Sequence, residues 1–519
     1  FVLASNAQSL KVGDWRDHLS YNNAYDVCQV GDVIYTSTDR ALFSFNTIDN
    51  SVSRLNTINM LSDAGVSAIQ ADGELLVVGY DNGNIDLIRG YETINIPDIM
   101  RASLVGDKKI NSIDFYKGVA YLSCGFGIVL VNIDKEEIID TYYIGENGGQ
   151  VNVIGTASMQ NSIYAATETE LYRGNIEGAS LGNYQSWEKI EIPTSQQISL
   201  LASFNEQIYI NTLGPSFNTD VLYVFDGTSW QEFFSGLSFV DMKQDEESLV
   251  VSFRYGIKVF DFDGNLEAQI GSGGFDFDRV DFRSAIKGTS NEYWIADMHN
   301  GLIHYKNGFV ESIYPSGPAD SDVVHIRNVG EEMWVAHGAK SENWAPTWNK
   351  QEISMHTSDT WQQTTFLKDM DLSDVVSVNQ YGGYTYAASW QQGLIKMKEF
   401  NLETIYNETN STLQKRAVYD DWINIGDLQF DSQGNLWCTN AQTYNPLSVK
   451  FTNEEWQSFS LSPFVIESQN ISKLLIDQAD QKWILVRTGG LVVFDEKRTA
   501  PNTIKIRTGV GSGNLNSNR

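Results

Sequence analysis

The 519-residue chain is poor in cysteine, proline and positive charge, and each shortage narrows what it can be. It has three cysteines, Cys28, Cys124 and Cys438, an odd number spread over separate strand-like runs. That spacing gives no disulfide framework and reads as small apolar residues for a core. It leaves an oxidising compartment open, because a large core needs no covalent staples. Proline is scarce (9) and glycine frequent (42), a balance that suits many tight turns between regular strands. Lys and Arg number 36 against 66 Asp and Glu, so the net charge is −30. Such a molecule repels phosphate backbones and anionic bilayers, which argues against a nucleic-acid partner. The one basic cluster, Gln414-Lys415-Arg416, reads as a solvated loop. No apolar run approaches the ~20 residues that a membrane helix needs, so no transmembrane segment is expected.

Signs of chemistry are equally thin. Of six histidines, His299, His304, His325 and His337 fall close together, but none has a metal-ligand spacing, and turn or surface roles are expected. Asp261-Phe262-Asp263-Gly264-Asn265 has part of a calcium-loop spelling, yet lacks the third ligand spacing and the closing glutamate. It sits where a hairpin turn belongs. Asp431-Ser432-Gln433-Gly434-Asn435-Leu436-Trp437 is similar to the aspartate box of sialidases, without an arginine triad or paired carboxylates to go with it. No nucleophile elbow, P-loop or dinucleotide fingerprint occurs. The reading is therefore no enzyme, no catalytic residue, no cofactor and no metal, with the ligand-binding residues unknown. Loop aromatics Trp344, Trp348 and Trp390 are the most open, and an aromatic face can stack on a sugar ring.

What the chain does have is repetition. In Asn291–Ile313 a short strand, Tyr293–Ala296, meets a turn at Asn300-Gly301. A second strand, Leu302–Tyr305, meets another turn at Asn307-Gly308, and a third, Phe309–Ile313, follows. Asn-Gly supplies the positive backbone angles of two-residue hairpins, so this is an antiparallel meander, with Val280–Ala285 as its fourth strand. Trp294 stands seven residues before Gly301, and the same interval separates Leu76 from Gly83, Leu249 from Gly256, Tyr386 from Gly393 and Trp483 from Gly490. A small sheet cannot bury both faces alone, and a period in the forties with four strands per period is the signature of propeller blades. Tryptophans before the turn (Trp294, Trp334, Trp437, Trp483) are expected to pack between blades.

Seven units span 24–56, 65–96, 110–144, 151–193, 198–235, 237–270 and 278–314. Four more span 321–366, 372–407, 423–460 and 469–507. The fold class is all-β: a seven-bladed propeller over 13–318 and a partial second propeller over 319–519, carrying about four blades of seven. The eighth and tenth units carry insertions near Asn343-Trp344-Ala345-Pro346 and Thr443-Tyr444-Asn445-Pro446. The polar connector Asn407–Asp421 is expected to be a mobile loop. Residues 1–7 read as the remnant of a signal peptide ending in a small-x-small site. Asp14–Tyr21 resembles the outer strands led by Trp187, Trp230, Trp361 and Trp456, and is expected to complete a blade elsewhere in the chain or beyond it. The last residues, 511–519, resemble the approach to an inner strand, so the natural protein is expected to continue.

The spelling of some units is more specific than their period. Asp431–Trp437 and Gln481–Gly490 look like the regulator-type propeller repeats of hybrid two-component sensors. Trp15–Tyr21, Gly79–Ile88, Asp107–Ile113 and Ala120–Gly145 resemble the PorZ family of the type IX secretion system. That resemblance implies two seven-bladed propellers followed by a β-sandwich sorting domain. It also implies export through the periplasm to the cell surface, in association with the outer membrane. The role it implies is that of a non-enzymatic scaffold in an attachment complex with PorU, PorV and PorQ, supplying anionic lipopolysaccharide to the PorU sortase. The alternative is the periplasmic sensor half of a hybrid two-component regulator that binds an oligosaccharide.

Overall fold

A computed structural model describes residues 13, 15–177, 180–245, 247–277, 279–289, 291–338, 340–358, 360–417, 421–498 and 503–506. The expected leader remnant and the 511–519 segment lie outside these residues. Every regular sheet is a four-stranded antiparallel meander of consecutive strands, and there are eleven among the described residues. The chain divides into two compact units, one comprising Tyr21–Pro315 and the other Ser316 onward together with His18–Ser20.

In the first unit the blades span 26–55, 66–96, 110–142, 155–190, 198–237, 239–271 and 282–313. The inner strand of each blade touches the inner strand of the next, and Asp26–Val30 of blade 1 touches Phe282–Lys287 of blade 7. The ring is therefore closed and seven-bladed. The second unit has four blades, 325–363, 375–406, 424–459 and 471–506, whose inner strands follow one another in the same way.

The seven-residue interval has a physical origin. In the hairpin between second and third strands, Asp297 pairs with Gly301, and Val486 pairs with Gly490. Trp294 and Trp483 each lie three residues before that pair, so they occupy matching points of blades 7 and 11. Gly301 has φ +68°, and a Cβ there would come within 2.7 Å of Tyr314, so both the turn angle and the space require glycine. Trp294 is 2% exposed; it stacks on His304 at 4.2 Å and meets Phe45 of blade 1 at 5.4 Å. Trp334 and Trp437 are also buried, whereas Trp483 is only half-buried.

A second device recurs in the turns. The Asp431 carboxylate accepts the main-chain N–H groups of Gln433 and Asn435 and the Trp437 indole N–H, each at 2.9 Å. Asp477 does the same for Ala479, Gln481 and Trp483, again at 2.9 Å. The sialidase-like spelling is thus a turn lock in which an aspartate holds the indole six residues on. Asp261 likewise accepts from the main chain of Asp263 and Asn265, so the calcium-loop spelling is also a turn.

Two expectations are corrected, and the strand expected around Trp15 is not formed among the described residues. Trp15 is 81% exposed. Its segment pairs with no strand among the described residues. It acts as a latch instead: Ala24 N–H donates to Asp297 O, and Asn22 O accepts from Gly301 N–H, both in blade 7. His18 lies in the second unit, where its ring meets His356 and accepts from the Trp361 indole N–H at 3.2 Å. The connector expected to be mobile is held in place over its described part. Leu413 is 2% exposed in the core of the second unit, and Gln414 N–H donates to Asn440 Oδ1 at 2.7 Å. His337, expected in a turn or at the surface, is 1% exposed, between Asp322 O and Ser354 Oγ, each 2.9 Å away.

Trp294→Ala should cost the first unit about 3–5 kcal/mol, because it opens a cavity at the closing interface. Urea unfolding followed by near-ultraviolet circular dichroism measures this, and a loss below 1 kcal/mol would contradict the packing described.

Candidate functional site

The axis of the first ring holds a concave site. Inner strands from six of its seven blades, with Arg283 of the seventh, line a cavity of about 350 Å³. The strand edges that face an axis expose main-chain and small polar groups, here Ser67, Ser112 and Thr156, and charge is added at only a few positions. Asp26 of blade 1 is the most connected of these. Its carboxylate accepts from Ile69 N–H of blade 2 at 3.3 Å and from Ser284 Oγ of blade 7 at 3.1 Å, and it pairs with Lys243 Nζ of blade 6 at 2.9 Å.

The other charges are less well satisfied. Asp114 Oδ2 and Asp241 Oδ2 are out of reach of bulk water and have no hydrogen-bond partner. Burial pushes the Asp114 carboxyl up to about 7, against one main-chain N–H from Phe115. Burial also raises Asp241, with Lys243 opposing. For Lys243, burial works against the charge, but Asp26 and Asp241 outweigh it and hold the ammonium above the ordinary lysine range. Arg283 donates to Asp281 Oδ2 at 3.0 Å.

In the second unit the corresponding axial aspartate is Asp427. It accepts from Ser377 Oγ at 2.6 Å and from Leu474 N–H at 3.0 Å, tying blades 9 and 11 to blade 10. Burial lowers the adjacent His325 to about 4, against the pull of Asp427. The more distinctive feature is the insertion in blade 8. Asp374, fully buried, accepts the main-chain N–H groups of Thr347, Trp348 and Asn349 at 3.0–3.1 Å. It also takes the Thr347 hydroxyl at 2.7 Å and the Gln391 amide at 3.0 Å. One carboxylate thus fixes the backbone of the insertion at residues 347–349.

The three loop tryptophans part company here. Trp390 is fully buried, correcting its expected openness: its indole N–H donates to Trp344 O at 3.0 Å, which turns the ring inward. Trp344 is half-buried and Trp348 is 55% exposed. Lys340 Nζ sits 4.7 Å from the Trp344 ring centre and 4.2 Å from that of Trp390. Burial, helped by Lys473 and opposed by Asp427, lowers Lys340 to about 8.

The remaining sequence candidates fall in structural roles. His304 Nε2 lies 2.5 Å from Glu292 Oε1, and His299 N–H donates to Asp297. Cys28, Cys124 and Cys438 are buried and unpaired, and burial pushes their thiols up. Among the described residues, no three His, Cys, Asp or Glu side chains are grouped to hold a metal ion, and no helix is long and apolar enough to cross a membrane. Sequence reasoning missed Asp26, Asp114, Asp374 and Lys243. Only their place on inner strands, or for Asp374 just before the inner strand that follows an insertion, could have singled them out.

A family model described as the PorZ N-terminal β-propeller domain of TSS9 matches residues 34–188. The chain is similar in fold to PorZ of Porphyromonas gingivalis, described as an essential bacterial surface component of the type IX secretion system. The TM-score is 0.82 at 18% identity, over 96% of this chain and 69% of that one. The resemblance to PorZ read from the sequence, and the propeller fold class, are therefore borne out. Extracellular domains of two sensors from B. thetaiotaomicron, described as a one component system and a hybrid two component system, also align. They do so at 14% identity each, over 95% and 96% of this chain and 68% and 74% of theirs, with TM-scores of 0.36 and 0.40. No curated protein matches.

Asp114 gives the first ring a defined pH response. The folded protein keeps its proton until about pH 7, whereas the unfolded chain releases it near 3.8. The folded state holds the extra proton in between, so this group's contribution to stability falls as pH rises through that window. Asp114→Asn should leave stability unchanged at pH 4. At pH 8 it should raise it, on the order of 1–2 kcal/mol once the water that the channel admits is allowed for. Urea titrations at both pH values test this, and an equal effect at the two would refute it.

Proposed function

We propose that this chain is a non-catalytic, exported surface component of a type IX secretion system. In this reading it binds outer-membrane partners of the PorU, PorV and PorQ kind and presents anionic lipopolysaccharide to the PorU sortase. The observation that carries the reading is the match of the PorZ family model to residues 34–188, supported by a likeness to PorZ in fold that extends over nearly all of the chain. The physical character of the molecule agrees with it. A closed ring of packed sheets is a rigid body that offers wide faces to partners, and its axial charges hold the blades together instead of converging on a reacting atom. The net charge of −30 disfavours contact with anionic bilayers, which agrees with attachment through proteins or specific glycans. The sensor reading is taken no further.

Affinity capture tests the proposal. An epitope-tagged copy of the chain, recovered from detergent-solubilised outer membranes of a type IX-secreting bacterium, should bring down PorU-, PorV- or PorQ-like proteins. Recovery without any of the three, from membranes in which they are present, would sink it.

A further inference from the structure

Asp374 shows how fully a buried aspartate can be used, with three main-chain N–H groups, a hydroxyl and an amide donating to it. The axial cavity of the first ring departs from that habit. Asp114 Oδ2 of blade 3 and Asp241 Oδ2 of blade 6 line it, closed off from bulk water and without a hydrogen-bond partner among the described residues. The Ser112 hydroxyl on the same wall is unpartnered too. An ionised carboxylate buried in this way is costly unless something brings hydrogen-bond donors to it. The protein brings few. Lys243 is paired with Asp26 at 2.9 Å, and the remaining orphan of the lining, Arg283 Nε, belongs to a guanidinium already held by Asp281 at 3.0 Å. The charged lining is thus Asp26, Asp114 and Asp241 against Lys243 and an engaged Arg283, and it leaves acceptors to spare.

The placement of the two free oxygens decides what fits between them. Blades 3 and 6 are three steps apart, the widest separation that a ring of seven allows, so their carboxylates approach the cavity from opposite arcs. They are not gathered at one point, and among the described residues no three His, Cys, Asp or Glu side chains are grouped to hold a metal ion. The wall between them, from blades 4 and 5, is uncharged and mostly of small residues, among them Gly155, Thr156, Ala157, Ser199 and Ala202. The cavity, about 350 Å³, falls within the roughly 300–1,000 Å³ of small-ligand sites. Two separated acceptors with a neutral stretch between them match a short carbon chain bearing an ammonium at each end. Ammonium groups donate and never accept, and their bonds to carboxylates are charge-assisted.

We infer that the axial cavity of the first ring binds a small organic dication, a linear diamine whose two ammonium groups are held by Asp114 and Asp241. The site rests on the first ring alone and not on the secretion reading. The test titrates the whole chain calorimetrically, at physiological salt, with putrescine, cadaverine, butylamine and calcium chloride. At least one diamine should bind, one per chain, and about tenfold more tightly than butylamine, which carries a single charge. Asp114→Asn and Asp241→Asn should each weaken that binding about tenfold. Asp134→Asn, which alters an exposed carboxylate outside the lining, should leave it unchanged. Asp114→Asn keeps the shape of the side chain and removes a charge that burial opposes, so it should fold, and an unchanged near-ultraviolet circular dichroism spectrum checks this. Burial raises both carboxyls, Asp114 to about 7, so the diamine should bind more weakly at pH 5.5 than at pH 8, and Asp114→Asn should narrow the difference. A purely structural role for Asp114 would give no such change. Binding of neither diamine at millimolar concentration, equal affinity for butylamine, tighter binding of calcium than of either diamine, or parental affinity in both Asp114→Asn and Asp241→Asn would overturn the inference.

Discussion

Closing a ring of sheets requires that the last blade recognise the first without a covalent tie, and in the first unit Asp26 concentrates that recognition in one carboxylate. It is bonded to blades 2, 6 and 7 at once. Removing any one blade from register would strand a partly buried charge, which is far more costly than losing a surface pair. The apolar part of the same junction is the contact of Trp294 with Phe45. Asp427 repeats the arrangement in the second unit by accepting from the inner strands on both sides. An aspartate at the axis is thus the common joint of both units.

This has a bearing on how function is distributed. Groups that hold the blades in place cannot easily be given over to chemistry, and in the first ring Asp26 and Lys243 are engaged with each other. Variation is tolerated in the hairpins, where a blade can lengthen without disturbing its neighbours. Blade 8 shows the result: between the strands Glu332–Ala336 and Ser354–Thr357 lies an insertion whose shape is set from blade 9 by Asp374.

Much of the fold was legible in the sequence because the blade is a local object. A glycine that must take a positive φ and an aromatic three residues before its partner recur wherever a hairpin recurs, and both are visible without tertiary knowledge. What depended on distant partners was not visible. Trp15 heads a stretch spelled like an outer strand, but whether it pairs is decided by a distant third strand, and no strand forms there among the described residues. Trp390 lies in a turn, and its burial follows from an indole bond to a carbonyl 46 residues earlier in the chain. Leu413, in a polar connector, is drawn into the core by a strand that begins later. Asp261, in the partial calcium-loop spelling, was placed in a turn and holds main-chain amides there; the turn-locking role of Asp431, which holds main-chain amides and an indole, was not read from the sequence.

Each blade is assembled from strands that follow one another directly, and the first ring closes through the latch at residues 22–24 instead of by exchanging a strand between the chain's distant parts. Contacts inside a blade therefore span short loops, which form quickly and at little entropic cost. A polypeptide emerging from a ribosome or a translocation pore can complete one blade, then dock the next on it, in the order of synthesis. Only the junction of blade 7 with blade 1 must wait, so circularity is the final event in the folding of the first ring.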